Sequence, residues 1–116
     1  MRLQHVGITV RPEEIDSARV FYRDALGLPE LYATERALVY GLGREGELEL
    51  HVIAGPPPDG SAEHHFALEI AELGAARTRL AGNGCEIQPA RPTGGRERFF
   101  VRDPFRNLIE FVTPRS

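Results

Sequence analysis

In the N-terminal stretch LQHVGITV, Val6, Ile8 and Val10 alternate with His5, Gly7 and Thr9. A period of two predicts a β-strand with one apolar and one polar face. The period then changes. In RPEEIDSARVFYRDALGL, Pro12, Glu13 and Glu14 mark a helix start and Gly27 its stop, while Ile15, Ala18, Phe21, Tyr22, Ala25 and Leu26 recur at helical spacing. Three short strands are predicted next, near 30–35, 37–42 and 47–53, with GREGE as a tight turn between the last two. The run AGPPPDGSAE, rich in proline and glycine, then reads as an exposed connection.

Beyond it the same order returns: strand HHFALEI, helix ELGAARTRLAGNG ending at Gly82 or Gly84, and strands near 85–90, 97–102 and 108–113. Each half is strand, helix, strand, strand, strand. The register of the repeat can be checked at two places, because His65 follows His5 by 60 positions and Glu110 follows Glu49 by 61. The expected class is α+β, with two tandem βαβββ modules forming a curved mixed sheet and helices on its outer face. The expected organisation is one domain over residues 1–116, with a first module near 1–54, a linker near 55–62 and a second module near 63–116.

Composition narrows the chemistry. With 116 residues, 41% hydrophobic and 27% charged residues and a formal net charge of -3, the chain reads as a globular domain without a polyphosphate-binding surface. Nucleic acid and membrane are therefore not expected partners, and with no leader-like or spanning segment the expected location is cytoplasmic. All 14 basic residues are arginine, so imine chemistry on lysine is excluded. Ser17, Ser61 and Ser116 lie in no nucleophile elbow or phosphate loop, and the lone Cys85, read as a small core residue at a strand start, can form no intrachain disulfide.

Strand alternation places four metal-type side chains on the faces opposite the helices. They are His5, Glu49, His65 and Glu110. A carboxylate between Leu108, Ile109, Phe111 and Val112 is costly to desolvate unless a cation meets it. Two imidazoles with two carboxylates suit a divalent ion such as Ni, Co, Mn, Fe or Zn with positions open for substrate. Alternatives stay open at this stage. Glu47 satisfies the same alternation as Glu49, and Glu110 has arginine partners available in RERFFVRDP. His51 shares the face of Glu49 and is a candidate substrate contact, as are Arg98, Phe100 and Arg102, which alternate with Phe99 and Val101. His64 falls on the helix-facing side and reads as structural or exposed.

The stretches LQHVGITV, ARVFYRDALGLPE, LELHV, HHFALEI and FFVRDPFRNLIEF together resemble the vicinal oxygen chelate superfamily, which holds glyoxalase I, extradiol dioxygenases, fosfomycin-resistance thiol transferases and bleomycin-resistance proteins. DPFRNLIEF is the most specific of them. The resemblance implies paired βαβββ modules around a metal, with His5, Glu49, His65 and Glu110 as the glyoxalase-like ligand set and Glu49 dispensable in three-ligand members. Gly or Asp is usual in the family where Arg106 stands, so the left-handed residue of that turn is expected at Asn107 instead. The short chain leaves little loop for a glutathione moiety.

The function expected from these readings is that of a metal-dependent lyase or isomerase. It would chelate adjacent oxygens of a small substrate and stabilise an enolate-like intermediate, with Glu110, then Glu49, as general base. An Fe(II) dioxygenase, or a metal-free sequestration protein of the bleomycin-resistance kind, are the alternatives. A homodimer is expected, because pairing would close a curved half-sheet.

Overall fold

The computed structural model describes residues 1–115, so Ser116 lies outside the described residues. The chain forms two compact units, Met1–Pro58 and Asp59–Ser116, divided inside the proline-rich connection. Each unit is a βαβββ module with one four-stranded mixed sheet. Among the described residues no helix is long and apolar enough to cross a membrane.

In the first unit the strands are β1 His5–Val10, β2 Glu30–Ala33, β3 Ala37–Leu42 and β4 Leu48–Ala54, in the order β1-β4-β3-β2. Strand β1 runs parallel to β4, and the β4, β3 and β2 pairings are antiparallel. Ile8, Val10, Leu50 and Val52 are buried, as the alternation predicts, and in β3 the consecutive residues Leu38, Val39 and Tyr40 are all buried. Burying each such side chain stabilises the fold by roughly 1.5–3 kcal/mol.

The segment between β1 and β2 is helical, but not as one regular helix. It opens with a 3-10 turn at Pro12–Glu14, where the Glu14 carboxylate accepts the Arg11 N–H at 3.2 Å. It continues as α1 Ile15–Arg19 and ends as a π-helix over Val20–Ala25. In the last part the Leu26 N–H reaches back five residues to the Phe21 carbonyl, 2.9 Å away. The wider turn accompanies burial of both adjacent aromatics, Phe21 and Tyr22, which meet edge to face with centroids 4.9 Å apart. Gly27, at φ 74°, then turns the chain out.

A charged group ties this helix to the sheet. Arg19 donates to Glu30 at 2.9 Å, and the fully buried Tyr40 donates its hydroxyl to the same carboxylate at 3.4 Å. Burial, reinforced by the negative charge of Glu30, pushes the Tyr40 hydroxyl up to about 12. A phenol harder to ionise in the folded chain favours folding below its unfolded pKa of about 10 and loses that contribution as pH rises toward 12. Stability is therefore expected to fall by on the order of 1 kcal/mol between pH 9 and 11 from this group. Denaturant melts of the wild type and Tyr40→Phe across that range check it: the variant should lose this part of the alkaline sensitivity, and equal slopes would remove Tyr40 as its source.

The second unit has β5 His65–Glu69, α2 Leu73–Gly82, β6 Ile87–Pro89, β7 Arg98–Arg102 and β8 Leu108–Val112, with sheet order β5-β8-β7-β6. Phe99, Val101, Ile109 and Phe111 are buried, and Arg77 of α2 lies over the Phe99 ring, 5.1 Å from its centroid. The helix side of this sheet is therefore the face of these four residues, and His65, Glu110 and Phe100 are on the other. Cys85 precedes β6 and is half-buried, a partial departure from the core position expected; burial pushes its thiol up.

The turn into β8 corrects one expectation. Arg106 itself, not Asn107, holds the left-handed conformation at φ 78°. Asn107 is instead buried as a partner of buried Asp103: one Asp103 oxygen accepts the N–H groups of Phe105 and Asn107 at 2.9 and 2.7 Å, and the other accepts the Asn107 amide at 3.1 Å. With position 107 fixed by that bonding, the reversal falls on 106. An L-residue with a Cβ costs about 1–2 kcal/mol in that region, and glycine gives back roughly 0.5–1 kcal/mol in unfolded-chain entropy. Arg106→Gly is thus expected to stabilise the chain by up to about 1 kcal/mol, read as a higher melting temperature. A lower one would show that the arginine side chain contributes more than its backbone costs.

Candidate functional site

Each unit brings histidine and carboxylate together on the sheet face away from its helix: His5 and His51 with Glu49 in the first, His65 with Glu110 in the second. In the second unit, β8 carries Glu110 between Ala67 of β5 and Phe100 of β7, its Cα partners across the sheet. His65 stands one pleat earlier on β5, level with Leu108, and its Nε2 is 3.1 Å from Glu110 Oε1. The other ring nitrogen, Nδ1, is 2.9 Å from the Glu63 carbonyl oxygen. A carbonyl can only accept, so Nδ1 carries a proton and donates it. In the neutral ring the Nε2 lone pair then faces a carboxylate oxygen, and two acceptors at that distance call for a proton or a cation between or beside them.

Glu110 has a second neighbour. Arg98 Nη1 lies 3.7 Å from its Oε2, the arginine pairing left open by the sequence. The Arg98 guanidinium also sits over the Phe100 ring, 5.4 Å from the centroid, and the His65 ring meets Phe100 edge-on at 5.0 Å. Arg102 is engaged elsewhere, donating to the carbonyls of Ala62 and Arg106 at 2.6 and 3.0 Å. Among the proposed substrate contacts of this unit, Arg98 and Phe100 therefore stand beside the histidine–carboxylate pair, while Arg102 braces the chain around it. His64 is exposed and precedes the strand.

In the first unit, His5 lies directly opposite Glu49 across the parallel β1–β4 ladder, and Gly7 lies opposite His51. The His51 ring stacks on His5 at 4.0 Å and 9°, and its Nε2 is 2.8 Å from Glu49 Oε1. His5 Nδ1 meets the Gln4 side-chain oxygen at 2.5 Å. The hydrogen bond from His51, followed by one from the Gln4 side chain, holds the Glu49 carboxyl below the usual range. Glu47, the other residue allowed by alternation, lies before β4 and accepts the Glu45 N–H at 2.9 Å. Its carboxylate fills the space where a Cβ on Gly43, at φ 81°, would stand, so the GREGE turn has claimed it.

The two ladders are not in the same register. His5 is level with Glu49, but His65 is level with Leu108, two positions before Glu110. Measured against its histidine strand, His51 rather than Glu49 occupies the place that Glu110 has in the second unit. Sequence offsets alone could not separate these, since 59 for His51 to Glu110 and 61 for Glu49 to Glu110 are equally close to the 60 of the histidines. Gln4 was not among the expected site residues, and its position just before β1 gave no periodic signal. Among the described residues no three His, Cys, Asp or Glu side chains are gathered as a metal cage.

Residues 2–111 match the family described as Glyoxalase/Bleomycin resistance protein/Dioxygenase superfamily. No curated protein matches the chain. Among solved structures, a glyoxalase family protein from Bacillus anthracis superposes with a TM-score of 0.84 at 22% identity, covering 99% of this chain and 96% of its own. The fosfomycin resistance protein FosX from Listeria monocytogenes, complexed with Mn(II) and sulfate, gives 0.83 at 19% identity, covering 98% and 90%. A glyoxalase/dioxygenase from Nostoc punctiforme gives 0.79 at 20%, covering 99% and 92%. At these identities the likeness shows the fold.

Proposed function

Because the chain belongs to the Glyoxalase/Bleomycin resistance protein/Dioxygenase superfamily, we propose that it is a metal-dependent enzyme acting on a small substrate with two adjacent oxygens, by lyase or isomerase chemistry. The ligands in this reading are His5, Glu49, His65 and Glu110. The observation that carries it is the second-unit pair, in which an Nε2 with its proton committed to the other side of the ring faces a carboxylate oxygen at 3.1 Å. A ring oriented by an Nδ1–H bond to a backbone carbonyl is the usual support of a metal-ligating histidine. The Listeria FosX structure, which holds Mn(II), lends the fold a precedent for a divalent ion.

A bound divalent cation supplies stabilisation for negative charge developing on substrate oxygens. The chain's own residues supply the rest. Glu110, and Glu49 as second candidate, accept the proton from the substrate carbon. Arg98 is placed to receive an anionic substrate group, and Phe100 offers an apolar surface next to His65. The reading includes a homodimer, for which sizing with light scattering is the test; a monomer persisting at high concentration counts against it. Metal analysis of protein purified without chelator tests the main claim. Stoichiometric Ni, Co, Mn, Fe or Zn supports it, and a folded chain that takes up none of them defeats it.

The sequestration reading also has an observation in its favour. Arg98 and His65 already give Glu110 two nitrogen neighbours, at 3.7 and 3.1 Å, without a metal. It expects tight binding of an aromatic or antibiotic-like ligand by metal-free protein, with no turnover.

A further inference from the structure

We propose that His51 is a positioning residue, holding both metal-type side chains of the first unit in place, rather than a ligand or a substrate contact; the inference rests on the metal-binding reading above. One side chain touches both partners. Its ring lies flat on His5, with centroids 4.0 Å apart and planes 9° from parallel, and its Nε2 is 2.8 Å from Glu49 Oε1. A carboxylate only accepts, so His51 Nε2 carries the proton it donates and has no lone pair there for an ion.

Ring geometry points the same way. An ion bound to imidazole lies close to the ring plane, about 2.0–2.1 Å from the nitrogen. Rings stacked nearly parallel do not share such a point, so His5 and His51 cannot both ligate one ion in this arrangement. His5 is the one left free to do so: with Nδ1 turned to the Gln4 oxygen, its Nε2 is uncommitted among the described contacts. The ladder register makes the stacking possible. His51 is level with Gly7, which has no side chain, and the ring can therefore lie across toward His5 one pleat away. Gln4 closes the circuit, since its amide contacts His5 and contributes a hydrogen bond to Glu49. Loss of His51 should accordingly loosen the pair without dispersing it.

The second unit divides the same labour. There the Glu63 carbonyl orients His65, and Arg98 approaches Glu110. This explains how His51 can stand at the Glu110 position of the ladder and yet have a different role.

The test is Co(II) binding by the full chain, followed by titration and by the visible absorption of the bound ion, for the wild type, His51→Ala, His51→Gln and His51→Phe. Gln keeps a donor toward Glu49, and Phe keeps a ring on His5. His51→Ala is expected to bind Co(II) at unchanged stoichiometry with affinity weakened ~10–100-fold, the usual effect of losing a residue that orients a ligand. Its Co(II) spectrum should shift, Gln and Phe should each recover part of the affinity, and the metal-free melting temperatures should agree. Complete loss of stoichiometric binding in His51→Ala would make His51 a ligand and overturn the proposal. So would unchanged affinity and spectrum, or Gln and Phe variants no better than Ala. A wild type that binds no metal defeats the metal-binding reading itself, an outcome read from the wild-type arm alone and separate from the variant series.

Discussion

His65→Ala and Glu110→Ala are each expected to bring bound divalent metal from stoichiometric to near zero in chains that remain folded. The two side chains face one another at 3.1 Å, and each supplies a different kind of donor. Removing the imidazole leaves Glu110 to Arg98, which stands 3.7 Å from its second oxygen and can draw the carboxylate away from an ion. Removing the carboxylate leaves His65 oriented by the Glu63 carbonyl but without the carboxylate oxygen that faces it, and takes away one of the two negative charges of the ligand set. Either loss should exceed the ~10–100-fold typical of a supporting residue. Both side chains lie on the polar face and keep part of their exposure, 35% for His65 and 14% for Glu110, so their truncation opens no large cavity in the core. Metal content by elemental analysis, with circular dichroism to confirm folding, decides the matter. Variants that keep full metal content would remove the pair from the ligand set.

The faces on which these groups stand were legible from period alone. Alternation in LELHV and NLIEF assigned Leu50, Val52, Ile109 and Phe111 to the buried side, where they are found, and their neighbours to the other. What period cannot carry is lateral register. Side-chain direction repeats every two residues, so slipping β4 by two against β1 leaves every face unchanged while exchanging Glu49 for His51 opposite His5. Only the hydrogen-bonded ladder makes that choice. The Arg106 turn was opaque for a different reason. Intrinsic preference favours Asn over Arg in the left-handed region, but Asp103 binds both the backbone and the side chain of Asn107, and that network outweighs a local preference of about 1 kcal/mol. The π-helical end of the first helix was hidden because Ala18, Phe21, Tyr22 and Ala25 fit an ordinary helical stripe equally well.

Glu110→Gln is expected to lose metal and turnover together, whereas Glu49→Gln should keep part of the metal and lose most of the turnover. The amide is nearly isosteric with the carboxylate, so the comparison isolates charge and basicity from shape. At position 110 the substitution removes the anionic donor facing His65 and would set an amide against Arg98, so no ligand pair survives in the second unit. At position 49 the consequences differ, because His51 and Gln4 bond to that side chain and can continue to hold an amide in place. What an amide cannot do is accept a proton from carbon, and a positioned general base contributes ~10²–10⁴-fold to a rate. The chain has no lysine for an imine and no nucleophile elbow to provide another route. The measurement is turnover of α-hydroxycarbonyl, hemithioacetal and catechol substrates with Ni, Mn, Fe(II) and Zn, set beside metal content for each variant. If Glu49→Gln keeps both metal and full activity, the base is not Glu49 and the role falls to Glu110 alone. If the wild type turns over nothing in the panel while metal-free protein binds an unreactive aromatic ligand tightly, Glu110 is a binding group paired with Arg98, and the chain captures its ligand without transforming it.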